Sequence, residues 1–227
     1  MQYKNLLLYF ILFAFSCLFS NSQGIIKTQD LGLWVGINGD YKFKNNYKLL
    51  FSQEVRFFES VSELEKSISE IGLAYKINKN FKLQGNLRYV FDKKKNKIFE
   101  KNLRYNIDLR YKWDINKRFD FKYRLRFQTR YNNFLLVNKN GTKSDFRHKI
   151  TLDYKLNKKH ELNFSGEIWR EFEQYELPHF GKFRFVFSDE IDTKIGDFNL
   201  FFGLERDIDS KPNLNYYITG ISYNFSI

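Results

Sequence analysis

Histidine is the side chain that exchanges protons near neutrality, and the 227 residues supply only three: His148, His160 and His179. His148 keeps step with Phe146, Ile150 and Leu152, which places it on an apolar face near a strand end. His160 adjoins a short polar turn. His179 follows Pro178 in a long link, with Glu173, Glu176 and Ser188 nearby in sequence. General acid–base catalysis needs groups within hydrogen-bond reach, so His179 is the position around which a lipid- or peptide-modifying enzyme with its site on the outer loops would be built. That enzyme is the alternative reading. Metal chemistry has less to start from, since no His/Cys cluster has ligand spacing, and Glu171, Glu173 and Glu176 read equally well as a solvated acidic loop. The expectation is therefore no catalytic residue, no cofactor and no metal, and a protein that is not an enzyme.

Charge is the more abundant chemistry. Lys and Arg number 38 against 26 Asp and Glu, giving a formal net charge of +12. From Phe99 to Trp113, Phe99, Leu103, Tyr105, Ile107, Leu109, Tyr111 and Trp113 alternate with Glu100, Asn102, Arg104, Asn106, Asp108, Arg110 and Lys112; only Lys101 breaks the apolar series. Phe119 to Tyr131 repeats the pattern around Lys122, Arg124 and Arg126. Successive side chains of a strand point to opposite faces, so each segment has one apolar and one charged face over more than the roughly 9 to 11 residues a tilted strand needs to cross a bilayer. Because the arginines alternate with lipid-type side chains instead of forming a patch, a nucleic-acid partner is not expected.

The elements that must position these residues are strands. Eleven candidates run near Leu31–Phe43, Tyr47–Phe58, Ser67–Ile77, Phe81–Phe91, Phe99–Trp113, Phe119–Tyr131, Ser144–Leu156, Glu161–Phe172, Lys182–Lys194, Phe198–Glu205 and Asn215–Ile227. Short polar turns alternate with longer links, as periplasmic turns and outer loops do in outer-membrane barrels. Bacterial barrels have even strand numbers, so a further short strand around Gly24–Asp30 is expected, making twelve; ten follows if Ser67–Ile77 is not inserted. Ahead of them, Lys4 and the apolar run Leu6–Phe15 lead to Ser20-Asn21-Ser22, the pattern of a signal peptide cleaved after Ser22. Residues 1–22 are thus assigned to the signal peptide and 23–227 to one domain. Cleavage there removes Cys17, the single cysteine, and leaves the barrel to its hydrogen-bond ladder. The fold class is all-β: a single transmembrane antiparallel up-and-down β-barrel in the outer membrane of a Gram-negative bacterium.

With the apolar face on lipid, the charged face lines the lumen. The candidate wall comprises Arg56, Arg88, Arg104, Arg110, Arg124, Arg126, Arg147 and Arg184 with Glu54, Glu167 and Glu190, joined by Glu70, Asp108, Lys122, Asp153 and Glu205. Arginines concentrated on consecutive strands predict a basic wall facing a more acidic one, a field that favours small anions or acidic oligosaccharides. The bland counterpart is a salt-bridged lumen that stiffens a structural barrel. Lys93, Lys94, Lys95 and Lys97 in one outer loop suit the phosphates of lipopolysaccharide. Tyr217, Thr219, Ile221, Tyr223, Phe225 and Ile227 share one face of the last strand and resemble the C-terminal signal read by the outer-membrane assembly machinery. The expected partners are therefore outer-membrane lipids, lipopolysaccharide and that machinery.

Several short motifs carry a resemblance across nearly all of the mature chain: Asp30-Leu31-Gly32-Leu33-Trp34, Glu54-Val55-Arg56-Phe57, Leu87-Arg88-Tyr89, Leu103-Arg104-Tyr105, Arg124-Leu125-Arg126-Phe127, Phe146-Arg147-His148-Lys149 and Gly220-Ile221-Ser222-Tyr223. In these the chain resembles the domain of unknown function 2490 family of predicted outer-membrane proteins. The resemblance implies a barrel and an outer-membrane address, and brings no substrate or catalytic residue with it.

Overall fold

The computed structural model describes residues 29–93, 99–132, 142–173, 177–208 and 215–227. Eleven strands form there, and among the described residues there is no helix: β1 (Gln29–Lys44), β2 (Tyr47–Phe58), β3 (Glu63–Lys76), β4 (Phe81–Lys93), β5 (Phe99–Asp114), β6 (Phe119–Tyr131), β7 (Thr142–Lys155), β8 (His160–Glu173), β9 (His179–Thr193), β10 (Gly196–Asp207) and β11 (Asn215–Ser226). Each pairs with its sequence neighbour in antiparallel register. The sheet then closes on itself through β1 and β11. Closure removes sheet edges, so every strand finds a partner for both rows of its backbone groups.

The strand number corrects the expectation of twelve, and of ten as its alternative. In a meander of neighbouring antiparallel strands an odd count leaves first and last running the same way, and β1 pairs β11 in parallel from Gln29↔Asn215 to Asp40↔Ser226. Both sides of β1 are thereby occupied, by β2 and β11, and no place remains for a twelfth strand in the closed ring. Ser67–Ile77, the segment whose loss would give ten, lies largely in β3, between β2 and β4. Residues 1–28, which hold the expected signal peptide and most of the expected Gly24–Asp30 strand, fall outside the described residues, as do Lys94, Lys95 and Lys97.

Local chemistry sets the turns. Ile77-Asn78-Lys79-Asn80-Phe81, Ile115-Asn116-Lys117-Arg118-Phe119 and Leu156-Asn157-Lys158-Lys159-His160 are one turn used three times. In each, the Asn Oδ1 accepts from the backbone N–H groups two and three residues on, at 2.9 and 2.9 Å, 2.8 and 3.0 Å, and 2.8 and 3.1 Å. This is the Asx-turn chemistry that makes asparagine a turn residue. The β9–β10 turn needs Gly196 instead, whose φ of 138° would strain any side chain. On the opposite rim, Glu59, Ser60 and Val61 all have positive φ (51°, 56°, 71°), and Asp30 holds that link by accepting from the N–H groups of Glu59 (3.0 Å) and Ser60 (3.1 Å). The five short turns therefore share one rim with the C-terminus, and the longer links share the other with Gln29.

Burial is inverted relative to a soluble fold. Among the described residues only six apolar side chains are buried, while seventeen polar or charged ones are. Val35, Ile37, Ile71, Leu73, Leu87, Ile107, Leu109, Ile150 and Leu152 all lie outside and exposed, as a belt around the barrel. Aromatic pairs flank it. Tyr47–Tyr75, Phe81–Tyr111, Phe119–Tyr154 and Phe198–Tyr223 (ring centroids 4.8, 5.0, 4.8 and 5.1 Å) sit near the turn rim. Phe91–Phe99 at 4.6 Å and Phe146–Phe172 at 5.6 Å sit towards the other. Lys101, the exception in the apolar series, is exposed three residues into β5, beside that second rim.

Candidate functional site in the barrel interior

All eleven residues of the expected wall fall on the inward face, the face shared with the buried Asn86, Asn106, Asp108, Gln128 and Asp153. The alternation dictates this: an inward residue is followed by an outward one, so Arg124 and Arg126 on β6 enclose the outward Leu125.

At mid-height the charges are paired. Asp108, fully buried, accepts from Arg126 Nε at 2.6 Å and Nη2 at 2.8 Å and from Arg110 at 3.0 Å. Glu167 receives Arg124 at 2.6 Å and Arg147 at 2.9 Å, with Arg184 at 3.9 Å. Glu205 accepts from Arg184 and, at 2.7 Å, from Lys182. Arg56 is held by Glu54 at 2.6 Å, and Arg88 by Glu70 at 2.6 Å. Charged hydrogen bonds of this kind offset the cost of taking arginines away from bulk water. Glu190 differs, making no ion pair with a described residue.

Two tryptophans face inward with them. The Arg56 guanidinium lies 3.6 Å from the Trp34 ring centre, and Arg184 lies 4.8 Å from the same ring and 5.0 Å from Trp169. Arg147 covers Trp169 at 4.5 Å. The order Arg56, Trp34, Arg184, Trp169, Arg147 links β2 to β7, strands that are five steps apart one way around the barrel and six the other. The stack thus bridges opposite walls. Phe201 packs edge-on against Trp34 at 6.1 Å, and Gly220 makes the room: a Cβ there would meet the Trp34 carbonyl oxygen at 2.2 Å and Phe201 Cζ at 2.3 Å. Sequence reasoning missed this layer because it assigned aromatics to the lipid face. Parity was the available signal: Trp34 keeps step with Asn38 and Asp40, and Trp169 with Glu167 and Glu171.

Towards the turn rim the interior opens into two cavities of about 530 and 550 Å³. The first is basic: ten of its twenty lining residues are Lys or Arg, against one carboxylate, Asp114. The second carries Asp40, Glu70, Glu190 and Asp197, together with Lys82 and Arg110. The two signs of charge separate here rather than at mid-height, where they pair.

The histidines do not converge. His148 faces outward and shares a 2.7 Å hydrogen bond with Tyr123 Oη. His160, also outward, meets Asp189 at 2.8 Å. His179 is not in a loop but begins β9, which starts three residues earlier than expected; its Nδ1 lies 3.1 Å from the Leu177 carbonyl oxygen. Glu171, near it, is inward on β8 and engaged by Lys143. Ser188 stands nine residues further along β9, about 30 Å of strand away. Among the described residues no group of three His, Cys, Asp or Glu is placed to hold a metal ion.

A family model described as "Protein of unknown function (DUF2490)" matches residues 31–196, from the third residue of β1 to the first of β10. No curated protein and no solved structure matches the chain. The match takes in Trp34, Trp169 and the eight arginines of the expected wall with Glu54, Glu167 and Glu190, and it stops short of Glu205 and of Gly220-Ile221-Ser222-Tyr223. This closed, inside-out β-barrel therefore belongs to the DUF2490 family.

Proposed function

We propose that the chain is an outer-membrane β-barrel of a Gram-negative cell, with residues 1–22 as a cleaved signal peptide, whose interior is a narrow, charge-lined and internally braced passage selective for small anions. The exposed apolar belt between two sets of aromatic side chains carries this reading. From Phe81 to Phe91 on β4 the outward residues run aromatic, aliphatic, aromatic; ten residues at about 3.3 Å, tilted roughly 40°, rise about 25 Å, the height of the apolar band of outer-membrane barrels. A soluble protein rarely exposes so large a continuous apolar surface. The turn rim then faces the periplasm with the C-terminal strand, whose outward Tyr217, Tyr223 and Phe225 suit recognition by the assembly machinery, and the longer links face lipopolysaccharide. The arginine–tryptophan bridge makes the passage tight, so solutes of oligosaccharide size are held out and small anions are favoured by the surplus of lumen cations. The enzyme alternative draws no comparable support, because its candidate base His179 and nucleophile Ser188 stand nine residues apart on β9, and Glu176 lies outside the described residues.

The test is planar-bilayer conductance of the refolded protein with a salt gradient. Small, anion-selective openings are expected. Neutralising Arg104, Arg124 and Arg126 together should move the reversal potential towards zero while heat-modifiable mobility persists, and Trp34→Ala should enlarge the openings. Refolded protein that fails to float with lipid vesicles would overturn membrane insertion; unchanged selectivity in the triple variant would overturn the anion passage.

A further inference from the structure

The strand register shows something the ion-pair pattern alone does not. Reading directly across the sheet, Lys76 on β3 opposes Lys82 on β4, Lys82 opposes Arg110 on β5, Arg110 opposes Arg124 on β6, and Arg124 opposes Lys149 on β7. Five consecutive cross-strand neighbours on one inward face are cations. Like charges placed directly opposite destabilise a sheet, and neighbouring strands are only about 4.8 Å apart. Of the five, Arg110 and Arg124 have carboxylate partners, Asp108 and Glu167. Lys76, Lys82 and Lys149 make no ion pair or side-chain hydrogen bond with any described residue, although Lys82 and Lys149 are half-buried. All five line the basic cavity of about 530 Å³ at the turn rim, a size that suits a small organic solute. Arg110 Nε, at the centre of the row, and Arg124 Nε beside it are both buried without a hydrogen-bond partner.

We propose that this cup binds a small solute carrying two or more phosphate or carboxylate groups, which lies along the row and bridges Lys82 and Lys149. The row ends at Glu167, which stands across from Lys149 on β8 and is already taken up by Arg124 and Arg147; such a ligand adds counter-charge at Lys82 and Lys149, and its several oxyanions match a line of cations better than one halide does. The mid-height bridge narrows the lumen between the cup and the opposite rim, so a solute of this size enters and leaves by the turn rim. The proposal deepens the anion passage and rests on it for the direction of approach; the binding itself needs only the folded barrel.

Calorimetric titration of the refolded barrel in neutral detergent separates the two. With tripolyphosphate as the phosphate probe and citrate as the carboxylate probe, one-to-one binding is expected at low salt, weakening at least tenfold at high salt. Lys82→Gln with Lys149→Gln should weaken it at least tenfold while heat-modifiable mobility is kept. Lys158→Gln, on an exposed turn, should change it less than twofold. A preference for one probe identifies the oxyanion class. Binding that survives the double substitution, or requires many equivalents, would overturn the cup. A barrel that binds but never conducts would overturn the passage and leave the cup standing; one that conducts anions without binding either probe would do the reverse.

Discussion

Replacing Asp108 with Asn keeps the shape of the side chain and removes the charge on which two arginines converge. Asp108 is fully buried and Arg126 nearly so, and they meet in a two-pronged geometry with distances of 2.6 and 2.8 Å. Asp108→Asn turns one acceptor oxygen into an NH₂ that points at a guanidinium. Removing one partner of a buried pair costs about 3–5 kcal/mol, chiefly because the other charge stays behind unpaired. The loss at Arg110 adds little, since that side chain is 37 % exposed and exposed pairs contribute about 0–1 kcal/mol. For a chain of this length, each kcal/mol moves the melting temperature by roughly 2–4 °C, so Asp108→Asn should lower it by roughly 6–20 °C. The assay is loss of heat-modifiable mobility against temperature in one detergent. Arg126→Gln in the Asp108→Asn background should recover part of the loss, giving a coupling of about 2 kcal/mol or more in the double-mutant cycle. A drop below about 3 °C, or strictly additive effects, would show that lumen water solvates Arg126 as well as the carboxylate does, and would refute the account of mid-height pairing.

Two further predictions concern the seam and the loop clamp. Asn38→Cys with Asn224→Cys should form an intramolecular disulfide in the folded barrel, because the two side chains are inward cross-strand partners already joined by a 2.7 Å hydrogen bond; folded protein that does not cross-link, judged by mobility with and without reductant, would contradict the parallel closure. Asp30→Ala should cost about 0.5–1.5 kcal/mol, since water replaces the charged acceptor of the exposed N–H groups of Glu59 and Ser60. Limited proteolysis near residues 59–61 should become faster in that variant, and an unchanged cleavage rate would remove Asp30 from its clamping role.

Much of the architecture is legible from alternation alone. Phe99–Trp113 and Phe119–Tyr131 coincide with β5 and β6 within a residue, because a two-residue period over a dozen positions has no rival among local structures. Strand number is not legible in this way, because the closing pair joins β1 to β11, residues too far apart in sequence for a local pattern to reveal. The inward placement of the arginines follows from parity, whereas their partners do not: Arg126 meets Asp108 on the next strand, but Arg124 reaches past β7 to Glu167 on β8. Side chains that long choose among several neighbours once the barrel closes. Lys82 and Lys149 do not stand out in the sequence for a related reason: only the register sets them in one row with Arg110 and Arg124.

The parallel seam also determines where this chain can be cut and rejoined. In an even-stranded barrel both termini emerge at one rim, and a few residues join them. Here Ile227 donates its N–H to the Asp40 carbonyl oxygen at 2.8 Å, whereas Gln29 lies eleven residues back along β1, about 36 Å of strand away. A circular permutant would need at least about eleven extended residues between Gln29 and Ile227, and that connection would have to run either through an interior already bridged by the Arg56–Trp34–Arg184–Trp169–Arg147 stack or down the outer apolar face. An odd strand count thus makes this barrel directional in a way its circular outline hides: the start of β1 and the end of β11 lie at opposite rims, and joining them takes what amounts to a twelfth crossing.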